Sequence, residues 1–244
     1  MRRKHVAVSA LMLGLAACAA PAADEGLETE VALCRDVWED KSGQLHLDAC
    51  TDVIEGTKSD HRRGEALNYR GLIYSRTGRL DEALADFNEA ARLLPNSSAP
   101  YNNRANVYRK QGRYDLMMAD LEAAKVAKPG SAISYNNHAY SLCEQGDFAA
   151  ALPLVEKALE LESVGNVEVY DTYGHVLMGL GRVEESEAAF AEAIKLGKSK
   201  RVRLYQLALE KKGYTPGRSD GVMNDATQVA LSACIRDNCR LMLD

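Results

Sequence analysis

The chain has 244 residues, enough for one or two domains with a sizeable core. Its composition is ordinary for a soluble globular protein: 46% hydrophobic, 27% charged and 6% aromatic, with a formal net charge of −5. That balance lacks the basic surface that nucleic acid demands, so no nucleic-acid partner is expected.

Arg2, Arg3 and Lys4 precede an apolar run from Val6 to Ala17. A basic start and a run of this length predict a secretory signal over residues 1–17, too short for a comfortable membrane span. The run closes on Leu15-Ala16-Ala17-Cys18, which resembles the bacterial lipobox. The resemblance implies lipidation of Cys18 and an outer-membrane lipoprotein facing the periplasm, with Ala19 fitting that sorting. The competing reading is cleavage after Ala22 or Ala23 without a lipid, which gives a soluble periplasmic protein. Several acyl chains on one cysteine anchor firmly, where a single chain is marginal. Loss of residues 1–17 removes three basic side chains and no acidic one, shifting the charge from −5 to −8. Anionic lipid then repels the mature surface, and anchoring falls to the lipid chain.

Residues 18–29 are small, polar and acidic, a tether. Residues 30–56 read as a degenerate helical hairpin. Val31, Cys34, Val37 and Trp38 form one stripe, Gly43 the turn, and Leu45, Ala49, Val53 and Ile54 a second stripe. Export permits disulfides. Cys34 and Cys50 on antiparallel partners would close a loop of about 15 residues; the alternative is two buried core thiols. Besides Cys18 there are Cys34, Cys50, Cys143, Cys234 and Cys239, an odd set whose pairing the sequence leaves open. Thr57 to Arg63 is polar and reads as a linker.

From residue 64 a pattern recurs at about 34 residues. Leu67, Arg70-Gly71, Tyr74, Gly78, Ala83, Phe87, Ala90 and Pro95 are echoed by Tyr101, Arg104-Ala105, Tyr108, Gly112, Met117, Leu121, Ala124 and Pro129. A third unit keeps Tyr135, Ala139, Gly146, Ala151 and Ala158; a fourth keeps Tyr170, Gly174, Gly181, Phe190 and Ala193. Small residues let paired helices approach, aromatic rings fill the gaps, and the glycines end the first helix of each pair. The pattern resembles the tetratricopeptide repeat family over 64–200, in four units, and more weakly over 30–56. The resemblance implies an all-α solenoid of helical hairpins that holds a protein or peptide in the groove lined by the first helices.

The family's inward-facing positions fall here on Asn68, Arg76, Asn102, Asn106, Arg109, Lys110, Asn136, Tyr140, Asp171 and His175, among others. Asn68, Asn102 and Asn136 share one position, and Asp171 continues the row. An amide both donates and accepts, so such a row can hold an extended backbone; the plainer alternative is a residue that solvates the helix. Arg76, Arg109 and Lys110 would add an acidic preference. The carboxylate clamp of chaperone-binding members needs a lysine where Asn102 stands, so capture of a chain-end carboxylate is not expected.

Past the fourth unit, Val202 to Lys212 predicts an amphipathic helix ended by Gly213, able to cap the array. A turn-rich stretch follows, then a helix from Asp225 with Gln228 placed for a capping box. Gln206, Leu209, Gly213-Tyr214, Gly217, Asp220-Gly221, Thr227 and Ala230-Leu231 resemble the motif of the small helical peptidoglycan-binding domain. That resemblance implies wall contact. Asn224-Asp225 replaces the family's Gly-Pro, Cys234-Ile235 its Phe-Gln, and no third helix precedes Asp244, so 201–244 reads as a cap with a truncated element. Cys234 and Cys239 could pair if the helix breaks near Asp237-Asn238. The histidines form no metal motif, and no nucleophile stands beside a base. The expectation is a non-catalytic envelope scaffold without metal or cofactor. The alternative is an outer-membrane or secretion assembly factor that never touches peptidoglycan; the oligomeric state stays open.

Overall fold

A computed structural model describes residues 27–35 and 44–241. The expected signal segment, Cys18, most of the tether, Val37, Trp38 and the Gly43 turn lie outside the described residues. Among the described residues the fold is all-helical, with no strand. The helices are α1 (Glu28–Arg35), α2 (Gln44–Gly56), α3 (Asp60–Arg76), α4 (Leu80–Leu93), α5 (Ala99–Lys110), α6 (Tyr114–Ala127), α7 (Ala132–Gln145), α8 (Phe148–Leu161), α9 (Val167–Gly179), α10 (Val183–Lys211) and α11 (Asp225–Arg236).

Each odd-numbered helix from α1 to α9 packs against the even-numbered helix that follows it, and each pair packs on the next. Inside a pair the fit is made by a small residue under a ring. A Cβ on Gly71 would stand 2.7 Å from the Phe87 ring, and one on Gly174 would stand 3.0 Å from Phe190. Both rings are fully buried. Gly78, Gly112, Gly146 and Gly181 carry φ of 82°, 70°, 83° and 73°, the left-handed geometry that stops the first helix of each pair. Tyr74 and Tyr108 are only partly buried, and the arginine after each turn stacks on them, Arg79 at 4.2 Å and Arg113 at 4.9 Å.

In the first two repeats an ion pair crosses the hairpin. Arg70 donates two 2.8 Å hydrogen bonds to Asp86, and Arg104 donates at 2.8 and 2.5 Å to Asp120. Both carboxylates are buried, and these bonds are the largest cause raising the two guanidinium pKa values. Arg70 also reaches Thr51, and Arg104 reaches Asn88, so each arginine ties its repeat to the one before.

The structure sharpens the sequence expectation at three helix starts. The linker expected over residues 57–63 is mostly helix, because the Ser59 hydroxyl accepts from Arg62 N–H and starts α3 four residues early. α11 starts at Asp225 as expected, but its cap is Asn224, whose side chain accepts from Thr227 N–H at 2.9 Å. The capping helix starts a few residues before Val202: it is the part of α10 beyond a non-helical break at Lys198 (φ 52°, ψ −146°), which parts it from the helix of the fourth repeat.

A disulfide joins Cys34 and Cys50 across α1 and α2, with Cα atoms 4.7 Å apart. A second joins Cys234 and Cys239, Cα atoms 5.0 Å apart. It spans the end of α11, where Asp237 caps the helix and Asn238 turns to φ 50°. Cys143 is free and buried in the core of the third and fourth repeats. Burial pushes its thiol up to about 12, which removes it from nucleophilic chemistry near neutral pH.

Candidate binding cleft

The first helices of the second, third and fourth repeats, together with α10 beyond its break, enclose a cleft of about 590 Å³. Asn106 and Arg109 come from α5; Ile133, Asn136, Asn137 and Tyr140 from α7. Val169, Asp171 and Thr172 come from α9, and Arg201 and Leu204 from α10. The helical period sets these positions: residues three or four apart on one helix share a face.

Of the ten groove residues expected from sequence, five meet here: Asn106, Arg109, Asn136, Tyr140 and Asp171. The other five do not line this cleft. Asn68 is only 8% exposed and accepts from Asn103 at 2.9 Å; Asn102 is 5% exposed and donates to Ser134 at 3.0 Å. Asn68 and Asn102 therefore each bond across to a neighbouring repeat, because successive first helices pack closely, although the Asn102 oxygen finds no donor among the described residues. Lys110 donates to the Ser75 carbonyl and hydroxyl and, with Arg76, stands outside the cleft. His175 faces the core: it is 2% exposed, its Nδ1 lies 2.8 Å from the Asp171 carbonyl, and its ring meets Phe190 edge-on.

The charges in the cleft are compensated locally. Arg109 donates to Glu144 at 2.9 Å and lies 5.9 Å from the Tyr140 ring centre. Arg201 donates to Glu168 at 3.3 Å and sits 3.6 Å from Asp171. The Tyr205 hydroxyl also donates to Asp171; burial, then that carboxylate, raises the phenol pKa. Of the three cations expected to add an acidic preference, Arg109 is engaged by Glu144, and Arg76 and Lys110 stand outside this cleft. The sequence reading missed Arg201 and Leu204, which enter only because the break at Lys198 turns the capping helix onto α9.

At the C-terminal end the motif residues form a buried network. Gln206 is fully buried; its amide nitrogen donates to the Val222 carbonyl and to Thr227, and its oxygen accepts from Gly221 N–H at 2.9 Å. Thr227 donates to the Pro216 carbonyl at 2.7 Å. Gln206, Gly221 and Thr227 therefore hold the 213–224 loop and offer no surface to a glycan. Gly213, Tyr214 and Asp220 remain at or near the surface, with Tyr214 donating to Asp237 at 2.8 Å. Gly213, Tyr214, Thr215 and Val229 line a second, open cleft of about 500 Å³. Among the described residues no group of histidine, cysteine and carboxylate side chains is placed to hold a metal, and no helix is long and apolar enough to cross a membrane.

Sequence models of the tetratricopeptide repeat match residues 64–97, 99–129, 131–162 and 167–197, together more than half of the chain. Among solved structures, TTC0263, a thermophilic protein of these repeats from Thermus thermophilus, is 17% identical with a TM-score of 0.58, over 69% of this chain and 90% of its own. A tetratricopeptide repeat protein from Parabacteroides merdae is 16% identical with a TM-score of 0.56, over 88% of this chain and 90% of its own. YrrB, described as a repeat protein with an unusual peptide-binding site, is 21% identical with a TM-score of 0.51, over 78% of this chain and 94% of its own. At these identities the likeness is one of fold. No curated protein matches the sequence.

Proposed function

This chain belongs to the tetratricopeptide repeat family, and from that premise we propose that it is a non-catalytic scaffold of the bacterial cell envelope, holding a periplasmic partner protein in its cleft. The repeat fold is that of a protein-binding scaffold. The observation that carries the site is the cleft itself: three first helices and the turned capping helix converge on one concavity of ligand size, lined by amides, a tyrosine, aliphatic side chains and the charged Arg109, Glu168, Asp171 and Arg201. Support for the envelope comes from the sequence, where a basic start and apolar run end at Cys18. The lipid on that cysteine would fix the protein to the outer membrane.

In-cell photocrosslinking tests the cleft. A probe at Ile133 is expected to capture a protein that a probe at Val126, exposed on α6, does not. Capture at Val126 with none at Ile133 would place the partner elsewhere. Mass spectrometry of the mature N-terminus tests the anchor: a lipid-modified Cys18 is expected, and an unmodified start at Ala23 would overturn it.

A second reading, contact with peptidoglycan, is favoured by the open cleft beside Tyr214 and Val229, next to the loop that the wall-domain motif residues hold in place. Sedimentation of the full chain with purified sacculi tests it. A chain left in the supernatant favours the assembly-factor alternative, with no wall contact.

A further inference from the structure

Charge is spread unevenly along this chain. Its formal net charge is −5, yet residues 195–218 hold eight basic side chains and one acidic, Glu210. At the other end, α2 carries Asp48, Asp52 and Glu55 and no lysine or arginine. These segments belong to opposite ends of the array: α2 packs on α1 and α3, and α10 packs on α9 and α11. Hairpins stacked about 10 Å apart put the two ends on the order of 40 Å from each other. The opposite charges therefore cannot meet within one molecule.

Each end presents one open helix face, and the two faces match. On α2, Leu45, Asp48, Asp52 and Glu55 are exposed and share a face, stepping by three, four and three residues. Leu45 is 58% exposed. Asp48 accepts from Gln44 at 2.8 Å, and Asp52 and Glu55 make no ion pair among the described residues. On the capping part of α10, Lys200, Arg203 and Leu207 are exposed on one face, with Lys211 a turn further on. Leu207 is 46% exposed. Lys200 and Arg203 make no ion pair among the described residues, while Glu210 is engaged by the Ser219 hydroxyl at 2.7 Å. Laid antiparallel with Leu45 against Leu207, the two helices bring Asp48 beside Arg203 and Asp52 beside Lys200. Laid parallel, Asp48 would face Glu210, a like charge at the contact. The outer face of a terminal repeat is also where a further repeat would sit.

We propose that the chain associates head to tail with a second copy of itself, the acidic face of α2 in one molecule lying antiparallel on the basic face of the capping helix in the next. The contact joins unlike surfaces, so it extends into open chains instead of closing as a symmetric pair. Lys200, Arg203 and Leu207 lie outside the cleft lining, so the contact leaves the cleft free. Each added molecule repeats the cleft along the assembly, which lets one partner engage several at once.

The test is sedimentation equilibrium of the full chain carrying Cys18→Ser, so that no lipid drives association, from about 10 to about 300 µM, a range suited to a small contact. At about 50 mM salt the average mass is expected to rise with concentration past that of a dimer, and at about 500 mM salt association should weaken at least about tenfold. Lys200→Glu with Arg203→Glu, and separately Asp48→Lys with Asp52→Lys, should each weaken it by about tenfold or more, because like charges then meet at the contact. Mixed in equal amounts, the two variants should associate again, since each supplies the face that the other has lost. Each double reversal shifts the formal charge of −5 by four, so both variants stay net negative and overall charge does not draw them together. Leu207→Ser should weaken association by about threefold to tenfold through lost apolar contact, and Val126→Asp on α6 should associate as the parent does. All these positions are exposed, so the variants are expected to fold, and melting curves check this. Where a double reversal lowers the melting curve, Arg203→Glu and Asp48→Lys alone replace it. A chain that stays monomeric throughout, a mass that levels at the dimer, association that survives either reversal, or a mixture of folded variants that stays monomeric overturns the proposal.

Discussion

Asp86 and Asp120 occupy one position in consecutive repeats, each gripped by two arginine hydrogen bonds inside its hairpin. Removing a carboxylate there leaves a guanidinium largely buried without its counterion. Asp120→Ala is expected to cost about 3–5 kcal/mol, read as a lowered urea midpoint. The third repeat breaks the pattern: His138 stands where Arg104 stood, and Leu154 where Asp120 stood. Burial, then the Lys125 charge, lowers the His138 pKa from its usual 6.5, with Glu122 at 3.4 Å opposing. The folded state therefore takes a proton less readily than the unfolded chain. Its contribution to stability is complete above pH 6.5 and is lost as pH falls toward the depressed folded value. Denaturation measured from pH 8 downward should show this decline, and His138→Gln should flatten it. An unchanged slope would mean that His138 stays solvated in the fold.

At the scale of single elements, the two ends of the array are held by different devices. Among the described residues the first hairpin packs on a neighbour on one side, and the Cys34–Cys50 disulfide closes it. Replacing both cysteines by serine is expected to remove about 3 kcal/mol from that hairpin. Hydrogen exchange should quicken in α1 and α2 and stay unchanged in α7 to α9; equal acceleration throughout would show global coupling. At the other end the 213–224 loop presses on the break in α10. Gly221 has φ 81°, and a Cβ there would meet the Ser199 carbonyl oxygen at 2.6 Å. Gly221→Ala is expected to destabilise this end by about 2 kcal/mol. Faster limited proteolysis between Tyr214 and Asn224 would register the release.

Across the whole molecule each hairpin touches mainly its neighbours, so stability is built from local units and the contacts between them. Phe87 is fully buried and seated on Gly71. Phe87→Ala should cost about 3–5 kcal/mol, and its effect should stay in the N-terminal half. Exchange protection is expected to fall in α3 to α6 while α9 to α11 keep theirs. The C-terminal half has its own core, where Phe190, Tyr205, Leu209, Leu231 and Leu241 pack together. That core joins the last repeat to the C-terminal element and fixes the capping helix against the cleft.

The repeat could be read from the sequence alone because it is local. Small residues, rings and turn glycines recur at a fixed period, and each acts within its own hairpin. Arg70 to Asp86 and Arg104 to Asp120 recur at the same interval, but only the folded hairpins show that these residues bond. The cleft was not legible to the same degree. The asparagine row marked the right helix face, but which amides stay open depends on how closely neighbouring first helices pack, and that distance is a tertiary quantity. Asn68 accepts from Asn103 and Asn102 donates to Ser134 in the neighbouring repeat, while the amide oxygens of Asn102 and Asn136 are closed off without a donor among the described residues. Arg201 and Leu204 carry no local signal for the cleft; a single backbone break at Lys198 brings them there. Sequence periodicity determined the hairpins and their order, because those rest on contacts between near neighbours in the chain. The tertiary structure alone decided which polar groups remain for a partner, because that depends on which ones the packed repeats have already paired.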